Sequence, residues 1–373
     1  LITATVTAGP LVRTQRLPSG AIQPQIAQAA DGTVHLIYYK GKPAGGDLFY
    51  MRKTPAENNF SKPIPINATP GSAIAIGTIR GAHLALGHNN RVHVAWMGGE
   101  GASTTKIAGT DNTPMLYTRL ADDGIRFEPE RNLLTFTGRL DGGGSVAADS
   151  SGNVYVTWHG APPSGPDGES ERAVYVAHST DDGKTFRREI RSSPDGTGTC
   201  GCCGMGAFAD KEGALYLLYR AATQMTNRDE ILLVSRNQGT SFKVANQDPW
   251  ITGMCPMSSA SFAQGNGRTF AAWENAGKVN VVAIKQNTAA PMQKLSPPGD
   301  AKRKHPALAV NSKGETLVAW TEGTGWEKGG ALGWQVFDGE GKAIGEPGSA
   351  PGVPIWGLVA AYAQSDGTFV VIF

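Results

Sequence analysis

The residues best suited to chemistry in this sequence are its four cysteines. Three stand close together at Cys200, Cys202 and Cys203, and the fourth, Cys255, follows in a separate segment. If the two segments meet in an oxidising compartment, we expect at least one disulfide from Cys255 to one of the other three. Four cysteines allow three complete pairings, and the sequence does not choose among them. A bond between the adjacent Cys202 and Cys203 is least expected, because its geometry would be strained.

The same cysteines also suit a soft metal ion. Thiolate and thioether sulfur atoms select Cu(I) or zinc, and Met205, Met254 and Met257 flank the cysteines, with His305 further along the chain. Two observations favour a structural role instead: Cys-x-Cys-Cys differs from the Cys-x-x-Cys spacing of a zinc knuckle, and buried methionines commonly fill gaps in a core. A disulfide, a soft metal ion and free buried thiols therefore remain three alternatives, and no other cofactor is expected.

Charged and aromatic residues at the ends of predicted strands form a second set of candidates. Cations, carboxylates and imidazoles that end neighbouring strands, or stand in the loops beside them, can contact one ligand if those strand ends share a face. The candidate ligand-binding residues are Lys40, Arg80, Arg139, His159, Arg220, Arg228, Asp229, Glu274, His305, Glu322 and Trp356.

A repeat of paired apolar stretches must position these residues. Each repeat runs into a short polar turn and out again to an aromatic or aliphatic residue, as in the segment from Ile26 to Tyr39. The repeat occurs seven times. A period near 50 residues, made of short strands, is typical of a radial array of four-stranded sheets. The later turns lie at Asn90, Gly152, Gly213, Gly267, Gly314 and Gly367.

The repeat predicts an all-β fold, a β-propeller with seven blades, and a single domain over residues 1–373. Within each blade the strands are named A to D from the axis outward, and the repeated pair supplies A and B. In the first blade we expect C and D at 47–51 and 62–66. A six-bladed ring is the alternative, because the interval from Gly267 to Gly314 is short for a full blade.

The N-terminus is expected to close the ring. The last A-B pair, 358–364 and 368–373, reaches the end of the sequence without outer strands. Two strand-like stretches, Leu1 to Thr7 and Leu11 to Leu17, precede the first A strand. Pairing them with the last blade would remove a free sheet edge that otherwise invites association.

The connections between strands predict which face carries a binding site. The D-to-A and B-to-C connections share one end of the propeller, which we call the upper mouth, and the C-to-D turns lie at the opposite end. The longest loops, 98–114, 160–172 and 221–229, all follow B strands. Loop variation usually places function on such a rim, so the upper mouth is the expected binding face.

Two C-to-D turns share a pattern, Ser-x-Asp-x-Gly-x-Thr-aromatic, with Asn for Asp and Ser for Thr in the second. The Asp or Asn side chain accepts backbone hydrogen bonds within such a turn, Gly takes a left-handed conformation and the aromatic residue packs beneath. A weaker third copy spans 120–127. These residues hold turns and are not expected to catalyse; they are Ser179, Asp181, Gly183 and Phe186, and Ser235, Asn237, Gly239 and Phe242.

At these turns the sequence resembles the sialidase-like, Asp-box (BNR) repeat superfamily of propellers. More narrowly, Cys200-Gly201-Cys202-Cys203 and Cys255-Pro256 resemble a bacterial secreted subgroup with Cys-x-Cys-Cys and Cys-Pro motifs. The resemblance implies a propeller over almost the whole chain, but a fold does not carry an activity. A sialidase needs an arginine triad, a Tyr-Glu pair and an acid/base Asp, and the segment from Arg13 to Pro18 is a poor match for the Arg-Ile-Pro motif of the first arginine.

Composition narrows the partners and the compartment. With 34 basic and 32 acidic residues the net charge is +2, so no nucleic-acid partner is expected. No apolar run reaches the roughly 20 residues of a transmembrane segment. The sequence begins at Leu1, which suggests an upstream segment removed by a signal peptidase or by cloning, and we expect a secreted or periplasmic protein.

The function that the sequence favours is binding of a glycan or another extracellular ligand, such as a protein, at the upper mouth without sialidase catalysis. The first alternative is a glycoside hydrolase with Glu274 or Glu322 and Asp229 as candidate carboxylates. The second is a soft-metal, copper-handling protein built on the cysteines with Met254 and Met257.

Overall fold

A computed structural model describes residues 11–102, 113–284, 294–300 and 302–373. Within these ranges 27 strands form seven sheets, and the one helix is a short 3-10 turn at His88–Asn90. Six sheets have four strands in sequence order and the seventh has three. No helix in the described part of the chain is long and apolar enough to cross a membrane.

The strands of the first three blades are β2 (Ala21–Gln28), β3 (Val34–Lys42), β4 (Gly45–Lys53) and β5 (Ile64–Pro65); β6 (His83–Leu86), β7 (Val92–Met97), β8 (Met115–Arg119) and β9 (Arg131–Asn132); β10 (Gly144–Ala148), β11 (Val154–Gly160), β12 (Ala173–Ser179) and β13 (Ile190–Arg191). The next three blades are β14 (Gly206–Ala209), β15 (Leu215–Arg220), β16 (Glu230–Ser235) and β17 (Lys243–Asp248); β18 (Ser261–Gly265), β19 (Arg268–Asn275), β20 (Lys278–Ile284) and β21 (Lys294–Leu295); β22 (Arg303–Val310), β23 (Thr316–Glu322), β24 (Gly330–Phe337) and β25 (Ala343–Val353). The seventh is β26 (Ala360–Ala363), β27 (Phe369–Ile372) and β1 (Val12–Gln15).

In five of the seven A-B hairpins a side-chain oxygen at the start of the turn accepts a backbone hydrogen bond two residues on, which stabilises the turn. In the first hairpin Asp31 Oδ1 accepts from the Thr33 amide at 2.9 Å, and Gly32 between them has φ 85°. The same bond recurs in four later hairpins, at Asp149, Asp210, Asn311 and Asp366. The polar turn seen in the sequence repeat is therefore one structural motif used repeatedly.

The blades pack face to face through large side chains on their B strands. Trp96, Trp158, Trp273 and Trp320 occupy β7, β11, β19 and β23, and each is at most 2% exposed. Burying side chains of this size contributes on the order of 2–3 kcal/mol each. The A strands contact one another in ring order from β2 to β26, and β26 contacts β2 in turn, so the array closes.

The N-terminal closure is confirmed for the second of the two stretches. Strand β1 pairs in parallel with β27, with Val12 opposite Phe369 and Gln15 opposite Ile372. The amide of Leu17 then donates to the Phe373 carbonyl at 3.0 Å. The first stretch, Leu1 to Thr7, lies outside the described residues.

The seven-bladed count is confirmed, and the six-bladed alternative is wrong. The short interval from Gly267 to Gly314 still holds a complete four-stranded sheet, β18 to β21. Its B and C strands, β19 and β20, are joined by only two residues, Ala276 and Gly277, both with positive φ. The B-to-C connection of this blade is therefore short.

Candidate functional site

The B-to-C and D-to-A connections meet at the upper mouth, as predicted. Isolated bridges join Gly98 to Ala73, Gly138 to Ala161 and Asn227 to Ile251. Each bridge joins a B-to-C connection to a D-to-A connection. At the other end, the C-to-D turn residue Asp182 donates its amide to the carbonyl of Gly152 in an A-B turn. The two faces are therefore built from different loops.

The cysteines lie together at the upper mouth. Cys202 and Cys255 form a disulfide across 53 residues of sequence, with Cα atoms 6.3 Å apart, which confirms the predicted link between the two segments. Cys200 and Cys203 are buried free thiols. The Cys200 sulfur lies 3.2 Å from that of Cys202 and 3.5 Å from that of Cys203.

Three of these sulfur atoms, those of Cys200, Cys202 and Cys203, lie within 4.8 Å of one another. They could hold a metal ion only after reduction of the disulfide that occupies Cys202. Two of the three flanking methionines do not complete such a site, because Met254 is 74% exposed and Met257 lines a separate small cavity. The third, Met205, is buried, and its sulfur accepts from Thr157 Oγ1 at 3.5 Å. Cys200 and Cys203 also stand three residues apart. The Cys-x-Cys-Cys motif therefore also contains a Cys-x-x-Cys spacing, from Cys200 to Cys203.

A buried arginine forms the charged centre beside the cysteines. The Arg220 guanidinium lies 3.1 Å from the Glu230 carboxylate and 3.8 Å from that of Glu274, and stacks over Trp250 with its carbon 5.0 Å from the ring centroid. Arg220, Glu230 and Glu274 are each at most 3% exposed. Burial raises the pKa of Glu230 to about 8 and also raises that of Glu274, although the positive charge of Arg220 opposes both shifts.

The same arginine acts on the thiols. Burial raises the pKa of a thiol, but at Cys203 the hydrogen bond from Cys200 and the charge of Arg220 outweigh it and lower the pKa. The hydrogen bond to Cys203, together with burial, raises the pKa of Cys200. The two thiols are therefore distinct, and Cys203 is the one poised to ionise.

A second charged group lines the upper mouth at the third blade. The carboxylate of Asp141 bridges Arg80, at 2.5 Å, and Arg172, at 3.5 Å. Arg139 pairs with Asp167 at 3.0 Å and donates to the carbonyls of Pro163, Gly165 and Pro166. These bonds fix the 161–172 loop.

A cleft of about 250 Å³ lies between this loop and the blade. Its lining includes Arg139, Asp167 and Arg172. Asp167 has a side chain that is 92% exposed, and those of Arg139 and Arg172 are 18% and 20% exposed. Planar donors and a carboxylate acceptor therefore share one water-accessible recess.

The 161–172 loop is tied to the cysteine segment. Glu169 accepts from the Gly201 amide at 2.7 Å and pairs with Arg228 at 2.7 Å. Arg228 was among the predicted residues, but Glu169, Arg172 and Glu230 were not. Glu169 and Arg172 lie in the predicted loop 160–172, and Glu230 directly follows the predicted loop 221–229. The length of these loops marked them as candidates, but their charged side chains come together only because separate blades converge at the upper mouth.

Two histidines predicted at this face are buried. Neither ring nitrogen of His159 has a hydrogen-bond partner among the residues that the structure describes, and burial lowers its pKa to about 4. Its Nδ1 fits because Gly142 has no side chain: a Cβ there would lie 2.5 Å away. His305 contacts Ser259 Oγ at 3.1 Å, and burial lowers its pKa to about 3.

The remaining candidates occupy separate places. Trp356, 7% exposed, lines a cavity of about 10 Å³ with His305, which has room for about one water molecule. Lys40 is exposed near the end of β3. Glu322 accepts from Trp320 Nε1 at 3.0 Å, and Asp229 accepts from the Trp250 amide at 3.0 Å. Within the described residues no hydrogen bond or ion pair joins any two of Trp356, Lys40, Glu322 and Asp229.

The turn residues lie at the opposite end. Asp181 accepts from Ser179 Oγ at 2.7 Å and from the amide and hydroxyl of Thr185 at 2.8 and 2.7 Å. Asn237 accepts from Ser235 Oγ at 2.9 Å and from the Ser241 amide at 3.0 Å. Gly183 and Gly239 have φ 77° and 74°, and Phe186 and Phe242 pack against neighbouring blades. The hydrogen bonds predicted for these turns are present.

No protein-family model matches the chain, and no curated protein matches it. Among solved structures, a Hadza microbial sialidase superposes with a TM-score of 0.54 at 12% identity, covering 89% of this chain and 71% of that one. An α-L-arabinanase of Penicillium chrysogenum in complex with arabinobiose gives 0.54 at 12%, covering 86% and 94%. The sialidase of Trypanosoma rangeli with the inhibitor DANA gives 0.54 at 12%, covering 83% of this chain but 54% of that one. At such identities the likeness is one of fold: the chain is a seven-bladed β-propeller whose fold is similar to those of the two sialidases and the arabinanase.

Proposed function

We propose that this protein is an extracytoplasmic propeller that binds a carbohydrate at its upper mouth, in the cleft beside the 161–172 loop, without hydrolysing it. The observation that carries the proposal is the grouping of Arg139, Asp167 and Arg172 around a cleft of about 250 Å³. Guanidinium groups donate paired hydrogen bonds in a plane and carboxylates accept them, which matches the hydroxyl and carboxylate groups of sugars.

Two further observations support the ligand class and the compartment. Proteins of the same fold include a sialidase solved with DANA and an arabinanase solved with arabinobiose. The Cys202–Cys255 disulfide suits an oxidising compartment. The sugar itself is identified by screening.

Binding without hydrolysis is favoured by the state of the candidate carboxylates. A glycosidase places two carboxyl groups on either side of the scissile bond. Glu274 is 2% exposed and shares Arg220 with Glu230, so a sugar does not reach it. Glu322 and Asp229 are held by Trp320 and by the Trp250 amide, away from the cleft.

A glycan array followed by calorimetric titration of the best ligand tests the proposal. Asp167→Ala removes a side chain that is 92% exposed. Arg139 loses that ion pair but keeps its bonds to the carbonyls of Pro163, Gly165 and Pro166, so the loop and the fold should be retained. Arg172→Ala removes the second group. Loss of a charge-assisted hydrogen bond costs about 1.5–3 kcal/mol, so we expect each variant to weaken binding by roughly tenfold to a hundredfold.

Arg126→Ala is the matched control. Its side chain is 70% exposed and pairs with Asp123 on a C-to-D turn at the opposite face, and binding should be unchanged. If Asp167→Ala and Arg172→Ala kept wild-type affinity for a bound glycan, the cleft would not be the site. If the wild-type protein hydrolysed a fluorogenic glycoside, the proposal of binding without hydrolysis would be wrong.

A further inference from the structure

We propose that the four cysteines form a thiol–disulfide relay, in which the buried pair Cys200 and Cys203 exchanges electrons with the disulfide Cys202–Cys255 at the upper mouth. This inference is independent of the carbohydrate proposal. It rests on the order of the sulfur atoms, their surroundings and their access to solvent.

The sulfur atoms lie in a chain with Cys200 at its centre. The Cys200 sulfur is 3.2 Å from the Cys202 sulfur, which belongs to the disulfide, and 3.5 Å from the free Cys203 sulfur. Thiol–disulfide exchange requires a thiolate in contact with a disulfide sulfur. Cys200 is in contact with both possible partners, so no large movement of the chain is needed to bring them together.

The surroundings supply the charge that exchange needs. Cys203 lies within the field of the Arg220 guanidinium, which favours a thiolate there. The carboxylates oppose a thiolate: Glu274 raises the pKa of Cys203, and Glu169 raises that of Cys200. Proton transfer along the hydrogen bond from Cys200 to Cys203 places the thiolate on either sulfur.

Access from outside is through Cys255. Cys200 and Cys203 are at most 1% exposed, but Cys202 is partly exposed and Cys255 is exposed. The side chain of the preceding residue, Met254, is 74% exposed. An external thiol or alkylating reagent therefore meets the outer end of the relay first.

The exchange balances without an external oxidant. In the first step the Cys200 thiolate attacks the Cys202 sulfur. The Cys200–Cys202 bond forms, the Cys202–Cys255 bond breaks, and Cys255 leaves as a thiolate. This thiolate takes up a proton in place of the one that Cys200 lost. In the second step the Cys203 thiolate attacks Cys200; the Cys200–Cys203 bond forms and Cys202 leaves as a thiolate and is protonated. The inner pair loses two electrons and the outer pair gains them.

Trapping with iodoacetamide, followed by non-reducing peptide mapping, tests the relay in the folded protein without added reductant. In the wild-type protein we expect labels to accumulate on Cys255 and Cys202, with a Cys200–Cys203 bond left behind. Cys203→Ser blocks the second step, so the label should appear on Cys255 alone, beside a Cys200–Cys202 bond. Cys200→Ala blocks both steps, and Cys255 should stay unlabelled.

Each variant is compared at a temperature below its own melting transition, and the wild-type mapping gives a result that needs no variant. Wild-type protein that retains Cys202–Cys255 while only Cys200 and Cys203 are labelled would overturn the relay. So would release of Cys255 in Cys200→Ala at the wild-type rate, because exchange would then run by another route. A stoichiometric metal ion that protects Cys200 and Cys203 without any bond rearrangement would favour a metal site instead.

Discussion

Removing the Asp181 side chain should weaken the fold and leave ligand binding unchanged. Asp181 lies in the C-to-D turn of the third blade, at the end opposite the upper mouth, and its carboxylate accepts three hydrogen bonds of 2.7–2.8 Å from Ser179 and Thr185. A net hydrogen bond contributes about 0.5–1.5 kcal/mol. Because the residue is partly exposed, solvent screens these bonds, and we expect Asp181→Ala to cost about 1 kcal/mol in all.

The cost should also depend on pH in a defined direction. Burial alone raises the pKa of the Asp181 carboxyl, but the hydrogen bonds from Thr185 and Ser179 outweigh it and lower the pKa from 3.8 to about 2. A pKa lowered by folding means that the contribution is fully present above 3.8 and is lost as the pH falls towards about 2. Asp181→Ala and the wild-type protein should therefore converge in stability under acidic conditions.

Urea unfolding of both proteins at several pH values measures this effect. Asn237→Ala is the matched control, because Asn237 makes the corresponding bonds in the fourth blade without a titrating carboxyl group, and its cost should not vary over the same interval. A constant cost for Asp181→Ala at every pH would refute the electrostatic reasoning. Full stability combined with lost glycan affinity would reverse the assignment of faces.

Three more outcomes are expected. Deleting residues 1–17 removes the partner of β27 and should cause aggregation or loss of cooperative unfolding, whereas a monomer with unchanged melting would contradict ring closure. Cys255→Ala opens a link across 53 residues and should cost about 4 kcal/mol on the chain-entropy account; unfolding that matches non-reduced wild type would contradict it. Burial raises the pKa of Glu230 from 4.5 to about 8, so its contribution to folding is fully present below pH 4.5 and is lost as the pH rises through 8. Glu230→Gln should therefore gain stability relative to the wild-type protein across that interval. Parallel pH–stability curves for the two proteins would argue against this reasoning.

The features predicted from the sequence are those that local physics decides. The polar turn at Asp31-Gly32 closes its own hairpin, and its recurrence predicts the blades. The turn at Ser179 to Phe186 is likewise held by bonds among near neighbours. Even the meeting of Cys255 with the other cysteines followed from topology, because D-to-A connections of adjacent blades converge.

The charged clusters could not be predicted in the same way. Arg220 meets Glu230 and Glu274 across two blades, and Arg80 and Arg172 meet at Asp141 from separate loops. Such contacts depend on side-chain direction and on the depth to which each loop is buried. His159 and His305 were predicted at the correct end of their strands, yet whether they lie in solvent or in the core is a matter of packing that the repeat does not encode.

A crystal structure with the best glycan from the array tests the central claim most directly. We predict electron density for the sugar in the cleft beside the 161–172 loop, with hydrogen bonds to Arg172 and Asp167 and an intact glycosidic bond. A sugar bound at the opposite face, among the turns at Asp181 and Asn237, or a cleaved product beside a carboxylate pair, would contradict the account.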